Sequence, residues 1–355
     1  MPEMMKAAIY YNNDKIRIEE RPIPEIGPGD LLIKTAACGL CGSESMEWYQ
    51  LKRAPKVMGH EPAGIVAKAG SEVKGFKEGD RVFVNHHVGR IHSHLALRGH
   101  FTSDPFYSST NLEPGAMCEY FRAPAVNVET DTHLIPDKVS FEAATFMEPW
   151  GCVLGGLKVA GIQYGDTVAV VGAGFMGQGF VHLAPLFGAG AIIALDLSDF
   201  RLSKAGEMGA THTINPEKED PKEVLYDLNH GRGADSVILT VPSISALEMA
   251  YDLVGVGGTL HLNAPPSGDR DWKLNPTRMY FDEITITNKY SADHHDTYQI
   301  LKWLEAGRIR PEAAITHRFA LEDVGRAFEL LVKADKSIKT MIYPNGYEFG
   351  GLEES

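Results

Sequence analysis

Three short stretches bring together residue types that can do chemistry. They are Cys38-Gly39-Leu40-Cys41-Gly42-Ser43-Glu44, then Gly59-His60-Glu61, then Glu148-Pro149-Trp150-Gly151-Cys152. Between them they offer thiol, imidazole and carboxylate, the donor set that zinc prefers. Three protein ligands with one position left open make a catalytic site, whereas four thiolates make a closed structural one. Taken singly, each has a plainer role. A lone cysteine is usually a small buried thiol, and a His-Glu pair at a strand end is usually a satisfied polar pair. The conjunction of the three is what points to a metal.

A fourth stretch has a different use. Gly172-Ala173-Gly174-Phe175-Met176-Gly177 follows the apolar run 168–171 and opens an apolar-periodic segment that reaches Phe187. A second apolar run ends at Asp196, about 20 residues past the turn. Strand, glycine turn, helix, strand, acid is the order that holds a dinucleotide. Gly172 permits the tight turn, Gly174 lets phosphates approach the backbone, and Gly177 lets helix and strand pack closely. Phe175 and Met176 begin the helix, whose unpaired N–H groups face the anion. Asp196 suits the ribose hydroxyls of NAD and repels the 2′-phosphate of NADP, so NAD is expected over NADP. Arg201, just beyond, is expected beside the adenosine.

These residues need elements to position them. Residues 6–130 read as many short strands separated by Gly/Pro turns, a β-rich domain. The segment 141–157 has helical spacing, with Ser140 as its N-cap. From Asp166 strands and helices alternate, which implies a parallel sheet covered on both faces. Pro185 is expected to shorten the first crossover helix. Past residue 290 two amphipathic helices follow, 297–306 and 321–334. The expected organisation is therefore a dinucleotide domain, 151–289, inserted in a second domain made of 1–150 and 290–355. The cleft between two domains is the default ligand site.

Composition fits this reading. The chain has 355 residues, long enough for two domains, with 44% apolar and 23% charged residues. A net charge of −13 argues against nucleic acid or an anionic membrane as the partner. The N-terminal residues lack the apolar core of a signal peptide, and no run is long enough to span a bilayer. Four cysteines in such a chain are no disulfide framework, so a reducing cytoplasm is the expected setting.

With these motifs the sequence resembles the zinc-dependent medium-chain alcohol and polyol dehydrogenases. The resemblance runs over about residues 5–345 and rests on Cys41-Gly42-Ser43, Gly59-His60-Glu61, Gly79-Asp80-Arg81-Val82, Glu148-Pro149, the 172–177 turn and Thr316-His317-Arg318. It implies an α/β fold, a Rossmann doubly wound parallel sheet inserted in a GroES-like β-rich catalytic domain. It implies one catalytic zinc per chain on Cys41, His60 and Glu148, with Glu61 close enough to bind in some states. Ser43 would be the hydroxyl of the proton relay, and zinc would act as a Lewis acid on the substrate oxygen. Met46, Trp48 and Trp150 would join Ser43 in the substrate pocket. Thr240 and Asn263 would face the cofactor. The substrate would be a secondary alcohol or polyol oxidised to a ketone, and the oligomer a homodimer or homotetramer paired through the strand near Ile284–Thr287.

Three departures from the family pattern stand out. Glu44 replaces the usual Asp, and Met46 replaces a histidine that often continues the relay, which must then end through the cofactor ribose and water. Arg90, Ser93, Ala96 and Asp104 stand where members with a structural zinc carry four cysteines. A four-thiolate zinc is therefore not expected, and the lobe 86–111 is expected to be more mobile than a zinc-clamped one. Two other readings compete: a zinc-free medium-chain enone reductase, which leaves Cys41, His60 and Glu148 without a task, and a non-catalytic NAD-binding sensor.

Overall fold

The alternating apolar residues between Met4 and Leu134 fold as strands of two sheets, and their register decides where the chemistry goes. In the computed structural model, which describes residues 2–265, 271–334 and 336–347, a seven-stranded sheet contains Leu31–Leu40 flanked by Glu61–Ala69 and Lys339–Tyr343. Leu31–Leu40 is the most buried of these early strands, with only Lys34 half-buried. Both of its neighbours run antiparallel to it. A three-stranded sheet of Met4–Asn12, Lys15–Pro22 and Lys56–Val57 packs beside it. Their shared core includes Ile9, Tyr10, Ile33, Met58, Phe121 and Phe328. By its contacts the chain forms two compact units: Met1–Gly151 with Ala292–Ser355, and Cys152–Ser291.

The second unit is built on six parallel strands in the order His212–Ile214, Ala191–Leu195, Thr167–Val171, Ala234–Leu239, Val254–Leu262, Thr285–Asn288. The chain starts in the middle, winds outward to one edge and returns to wind to the other. This is the doubly wound order, and its strand order reverses beside Thr167–Val171, the strand that feeds the glycine turn. All five residues of that strand are buried, as a sheet covered on both faces requires.

Helix boundaries follow side-chain chemistry. Ser140, Ser198 and Ser243 each accept a hydrogen bond from a first-turn N–H and so start a helix. The single helix expected over 141–157 is two: Phe141–Thr145 and Met147–Ala160. Pro149 is the reason. It has no N–H to return to the carbonyl of Thr145 and its ring would clash there, so the first helix must end and proline falls in the opening turn of the second. Pro185 acts similarly: the helix Phe175–Leu183 tightens into a 3₁₀ turn, Ala184–Phe187, which closes at Gly188 with φ +100°.

Candidate active site

Strand register assembles the candidate metal ligands. Cys41 directly follows Leu31–Leu40, and His60 directly precedes Glu61–Ala69. The two strands are antiparallel with Gly39 opposite Glu61, so the residue leaving one strand lies beside the residue entering the other. The sulfur of Cys41, a ring nitrogen of His60 and a carboxylate oxygen of Glu61 all lie within 4.8 Å of one another. The third strand brings a cation: Met341 is opposite Gly39, which sets Lys339 at the same end. Lys339, 1% exposed, pairs with Glu61 Oε2 and donates to the Leu40 carbonyl at 3.3 Å. Only glycine fits at position 39, where a Cβ would stand 2.0 Å from Glu61 Oε2 and 2.7 Å from Lys339 Cε. The other carboxylate oxygen, Glu61 Oε1, is buried with no hydrogen-bond partner. An orphaned carboxylate oxygen beside a thiol and an imidazole fits a borderline-soft divalent cation, zinc above all.

A second carboxylate orients the imidazole. Glu44, 1% exposed, accepts hydrogen bonds from His60 Nδ1 at 2.9 Å and from the Gly59 N–H at 3.0 Å, with Lys56 Nζ 3.7 Å away. Burial alone would push this carboxyl up, but His60, Lys56 and the Gly59 N–H together bring it down to about 2. Ionised, it can only accept, so His60 Nδ1 carries the proton and Nε2 is the nitrogen left for a metal. Burial also works against a charge on His60, yet Cys41 and Glu44 outweigh it and hold the ring well above the ordinary imidazole range. A cation at the cluster would take the place of that proton. Ser43 Oγ donates to Cys41 Sγ at 3.2 Å, and Gln50 Nε2 holds the Ser43 carbonyl at 2.7 Å.

The remaining residues expected near the metal are placed as follows. Glu148 is buried in the first turn of Met147–Ala160, outside the Cys41–His60–Glu61 cluster. Met46 is half-buried at the end of the Gly42–Ser45 turn. Trp48 is 58% exposed and meets Tyr49 edge-on. Trp150 does not form the open pocket wall expected of it: it is 0% exposed and sits edge-on against Phe146 as part of the core.

In the second unit the three glycines of the turn differ in what they permit. Gly172 has φ +96°, and a Cβ there would meet Thr240 Oγ1 and Val241 Cγ1 at 2.5 Å. A Cβ on Gly177 would stand 1.9 Å from the Gly172 carbonyl oxygen. At Gly174 the nearest atom to a Cβ is Arg201 Nη1 at 4.0 Å, so the space above it is the space a pyrophosphate needs. Phe175 and Met176 are the first residues of the helix that starts there. Gln178, buried, ties the turn by donating to Ala173 O at 2.7 Å and Arg201 O at 3.0 Å. Asp196 accepts from the Ala173 N–H at 2.8 Å and the Ser198 N–H at 2.9 Å, with Arg201 Nη1 at 3.8 Å. Thr240 Oγ1 donates to Gly172 O at 2.8 Å, and the Asn263 N–H bonds Leu239 O at 2.9 Å. The cradle and its acid fit a dinucleotide.

Comparison with known proteins agrees. The family model described as "Zinc-binding dehydrogenase" matches residues 176–306, and "Alcohol dehydrogenase GroES-like domain" matches residues 27–137. A sorbitol dehydrogenase of Bacillus subtilis is 33% identical over 97% of this chain and 99% of its own. The chain belongs to the zinc-dependent medium-chain dehydrogenases. An L-threonine 3-dehydrogenase of Bacillus velezensis is 30% identical over 93% of this chain and 96% of its own. Among solved structures, the 2R,3R-butanediol dehydrogenase of Bacillus subtilis superposes with a TM-score of 0.84 at 26% identity, covering 96% of this chain and 100% of the other.

The lobe 86–111 is held by polar contacts. Ser93 caps the short helix His94–Leu97 by accepting from the Ala96 N–H at 3.1 Å. Asp104 accepts from the Phe106 N–H at 2.8 Å, and Ser93 and Arg90 lower its carboxyl from the ordinary range. The Arg90 guanidinium lies 4.6 Å from the Phe106 ring centre. All four positions, Arg90, Ser93, Ala96 and Asp104, are thus joined by polar contacts, Ala96 through its backbone N–H. Phe101 and Tyr107 are buried, and Tyr107 donates to Ala292 O at 3.0 Å.

Several site residues had no role in the sequence reading. Lys339 belongs to no motif, and only the pairing of Lys339–Tyr343 with Leu31–Leu40 shows where it goes. Gln178 and Gln50 look like ordinary polar residues. Glu44 stood out only as a departure, although a carboxylate three residues past a ligand cysteine is a signal for a partner to the ligand histidine.

Proposed function

We propose that this protein is an NAD-linked alcohol dehydrogenase that oxidises a secondary alcohol or polyol to the ketone, with one zinc ion per chain. The observation that carries the reading is the Cys41–His60–Glu61 cluster, with its orphaned Glu61 oxygen and its Glu44-oriented imidazole, in a chain that also holds a dinucleotide turn. Cys41, His60 and Glu61 would hold the ion, with Glu148, buried in the same unit, as a fourth candidate. Bound there, zinc supplies a Lewis acid that lowers the pKa of an alcohol, and NAD supplies the hydride acceptor. Ser43 takes the hydroxyl proton, because its Oγ already lies 3.2 Å from the Cys41 sulfur. Met46 cannot carry a proton onward, so the relay ends in solvent or on the cofactor ribose.

Asp196 favours NAD over NADP, since a 2′-phosphate would face its carboxylate; Arg201 beside it moderates that preference. The strand Thr285–Asn288 is an edge of its sheet, and Tyr280 and Phe281 just before it are 77% and 74% exposed. These support a homodimer or homotetramer paired through that edge. The few cysteines, four in 355 residues, support a reducing, cytoplasmic setting; no helix among the described residues is long and apolar enough to cross a membrane.

Metal analysis of carefully handled protein tests the reading, with turnover of a polyol panel and NAD. About one zinc per chain and NADH formation are expected. In Cys41→Ser the bound zinc and the activity should fall together. A parent without zinc, or a Cys41→Ser enzyme as fast as the parent, sinks the zinc mechanism and favours the enone reductase. Bound NAD without turnover of any alcohol favours the sensor.

A further inference from the structure

A buried polar network fixes the backbone around His86 and leaves its ring unanswered. Asn127, 0% exposed, donates through Nδ2 to the Asn85 carbonyl at 2.9 Å and to the His86 carbonyl at 3.0 Å. Asn85, also 0% exposed, donates through its own Nδ2 to Asp131 Oδ2 at 2.8 Å, and its N–H bonds the Asp131 carbonyl at 3.0 Å. Asp131, buried in its turn, accepts from Thr297 Oγ1 at 2.6 Å. On the other side, His87 Nδ1 bonds the Thr110 carbonyl, and the His87 ring centre lies 5.3 Å from that of Tyr107.

The ring so placed lies against a candidate metal ligand, its centre 4.8 Å from that of His60. Three imidazoles meet here, since His87 lies 4.1 Å from His86 by ring centres. Two of them are satisfied: His60 Nδ1 by Glu44 and His87 Nδ1 by Thr110. The His86 ring has no hydrogen bond among the described residues. Its Nδ1 is buried without a partner, while the residue as a whole is half-buried, so the ring keeps an edge that a small molecule can meet. A buried polar atom left without a partner calls for an explanation. A ligand oxygen supplies one, because the ring stands beside the cluster where the substrate would be held.

We propose that His86 is a specificity-determining residue whose ring hydrogen-bonds a second substrate hydroxyl, on the carbon next to the one oxidised. The inference rests on the dehydrogenase reading and names the residue that reads the substrate beyond its reacting carbon. The reacting oxygen already has its partners, the metal and Ser43, so the His86 ring is left for the next oxygen along the carbon chain. A hydroxyl both donates and accepts, and a neutral imidazole offers one N–H and one lone pair, so either tautomer of His86 answers it. A site built to bond a hydroxyl discriminates strongly against the analogue that lacks it.

The test uses zinc-loaded enzyme with NAD and matched four-carbon alcohols: 2-butanol, 1,3-butanediol and the separate stereoisomers of 2,3-butanediol. The best 2,3-butanediol isomer should exceed both other alcohols at least tenfold in kcat/KM. His86→Phe should lower the ratio of 2,3-butanediol to 2-butanol at least tenfold. His86→Asn, whose side-chain amide stands near the place of Nδ1, should restore part of it. A merely structural role would lower both alcohols alike and leave the ratio unchanged. A calorimetric titration adds a readout without turnover. Pinacol, a vicinal diol of two tertiary alcohols with no hydride to give, should bind the parent at least tenfold tighter than tert-butanol, and His86→Phe should bind the two alike. A parent that oxidises 2-butanol as well as 2,3-butanediol overturns the proposal whether or not the variants fold, and so does an unchanged ratio in a folded His86→Phe. Either result leaves the dehydrogenase reading standing. If no alcohol is oxidised, the dehydrogenase reading fails instead, and the pinacol titration alone decides the role of His86.

Discussion

Glu61 and Lys339 are both almost wholly buried, at 0% and 1% exposure, so neither charge has water to stabilise it. Removing one partner leaves the other buried and uncompensated, which costs about 3–5 kcal/mol. Lys339→Met should therefore destabilise the zinc-free protein by about that amount in denaturant unfolding. Added zinc should recover part of the loss, because the ion supplies the positive charge that Glu61 then lacks. Glu44 acts one bond further out. In Glu44→Gln the His60 ring keeps a hydrogen bond but loses the ionic hold on it, and zinc affinity should fall about 10- to 100-fold in competition with a chromogenic chelator. The Cys41–His60–Glu61 cluster was legible because cysteine, histidine and acid stand in short motifs. Lys339 was not, since nothing local marks a lysine for burial. Its place is set by a strand that pairs across the whole length of the chain.

At the scale of elements, the glycine turn separates folding from binding. A methyl group at position 177 would meet backbone 1.9 Å away, and backbone cannot step aside cheaply. Gly177→Ala should lower both the unfolding midpoint and NADH binding. At position 174 the nearest atom lies 4.0 Å away, at the far end of an arginine. Gly174→Ala should melt like the parent and still lose at least tenfold in NADH affinity, read by nicotinamide fluorescence. Equal affinity would mean that the phosphates lie elsewhere. In the lobe 86–111, Asp104→Ala removes the acceptor for the Phe106 N–H and the partner of Ser93. Amide exchange confined to that lobe should speed up while the overall midpoint changes little. Strand and helix types were legible from periodicity and capping serines. The break at Phe146 was missed because the apolar pattern runs through it unchanged, and only the missing N–H of Pro149 interrupts the backbone.

For the whole molecule, the acid limit of stability has an identifiable contributor. His261 is 0% exposed in the strand Val254–Leu262, with Nδ1 3.1 Å from Thr287 Oγ1 and Nε2 without a partner. Burial pulls its pKa down to about 4, so the folded chain keeps it neutral while the unfolded chain takes up a proton below about 6.5. Its contribution is complete above that pH and is lost as pH falls towards 4. The difference amounts to something on the order of 3 kcal/mol. His261→Gln should flatten the fall in unfolding free energy between pH 6.5 and 4 relative to the parent.

The strand Lys339–Tyr343 also fixes an order in time. Lys339 and the Glu61 it neutralises are separated by 278 positions, and the whole unit Cys152–Ser291 lies between them. On a ribosome adding about 5–20 residues per second, Glu61 emerges roughly 15–55 s before its lysine. The nucleotide-binding unit is synthesised complete within that interval, while the sheet that positions the Cys41–His60–Glu61 cluster still lacks its third strand. A nascent chain stalled short of Lys339 should thus display a protease-resistant nucleotide unit beside an unfinished catalytic sheet. Metal capture would be among the last events in making the enzyme.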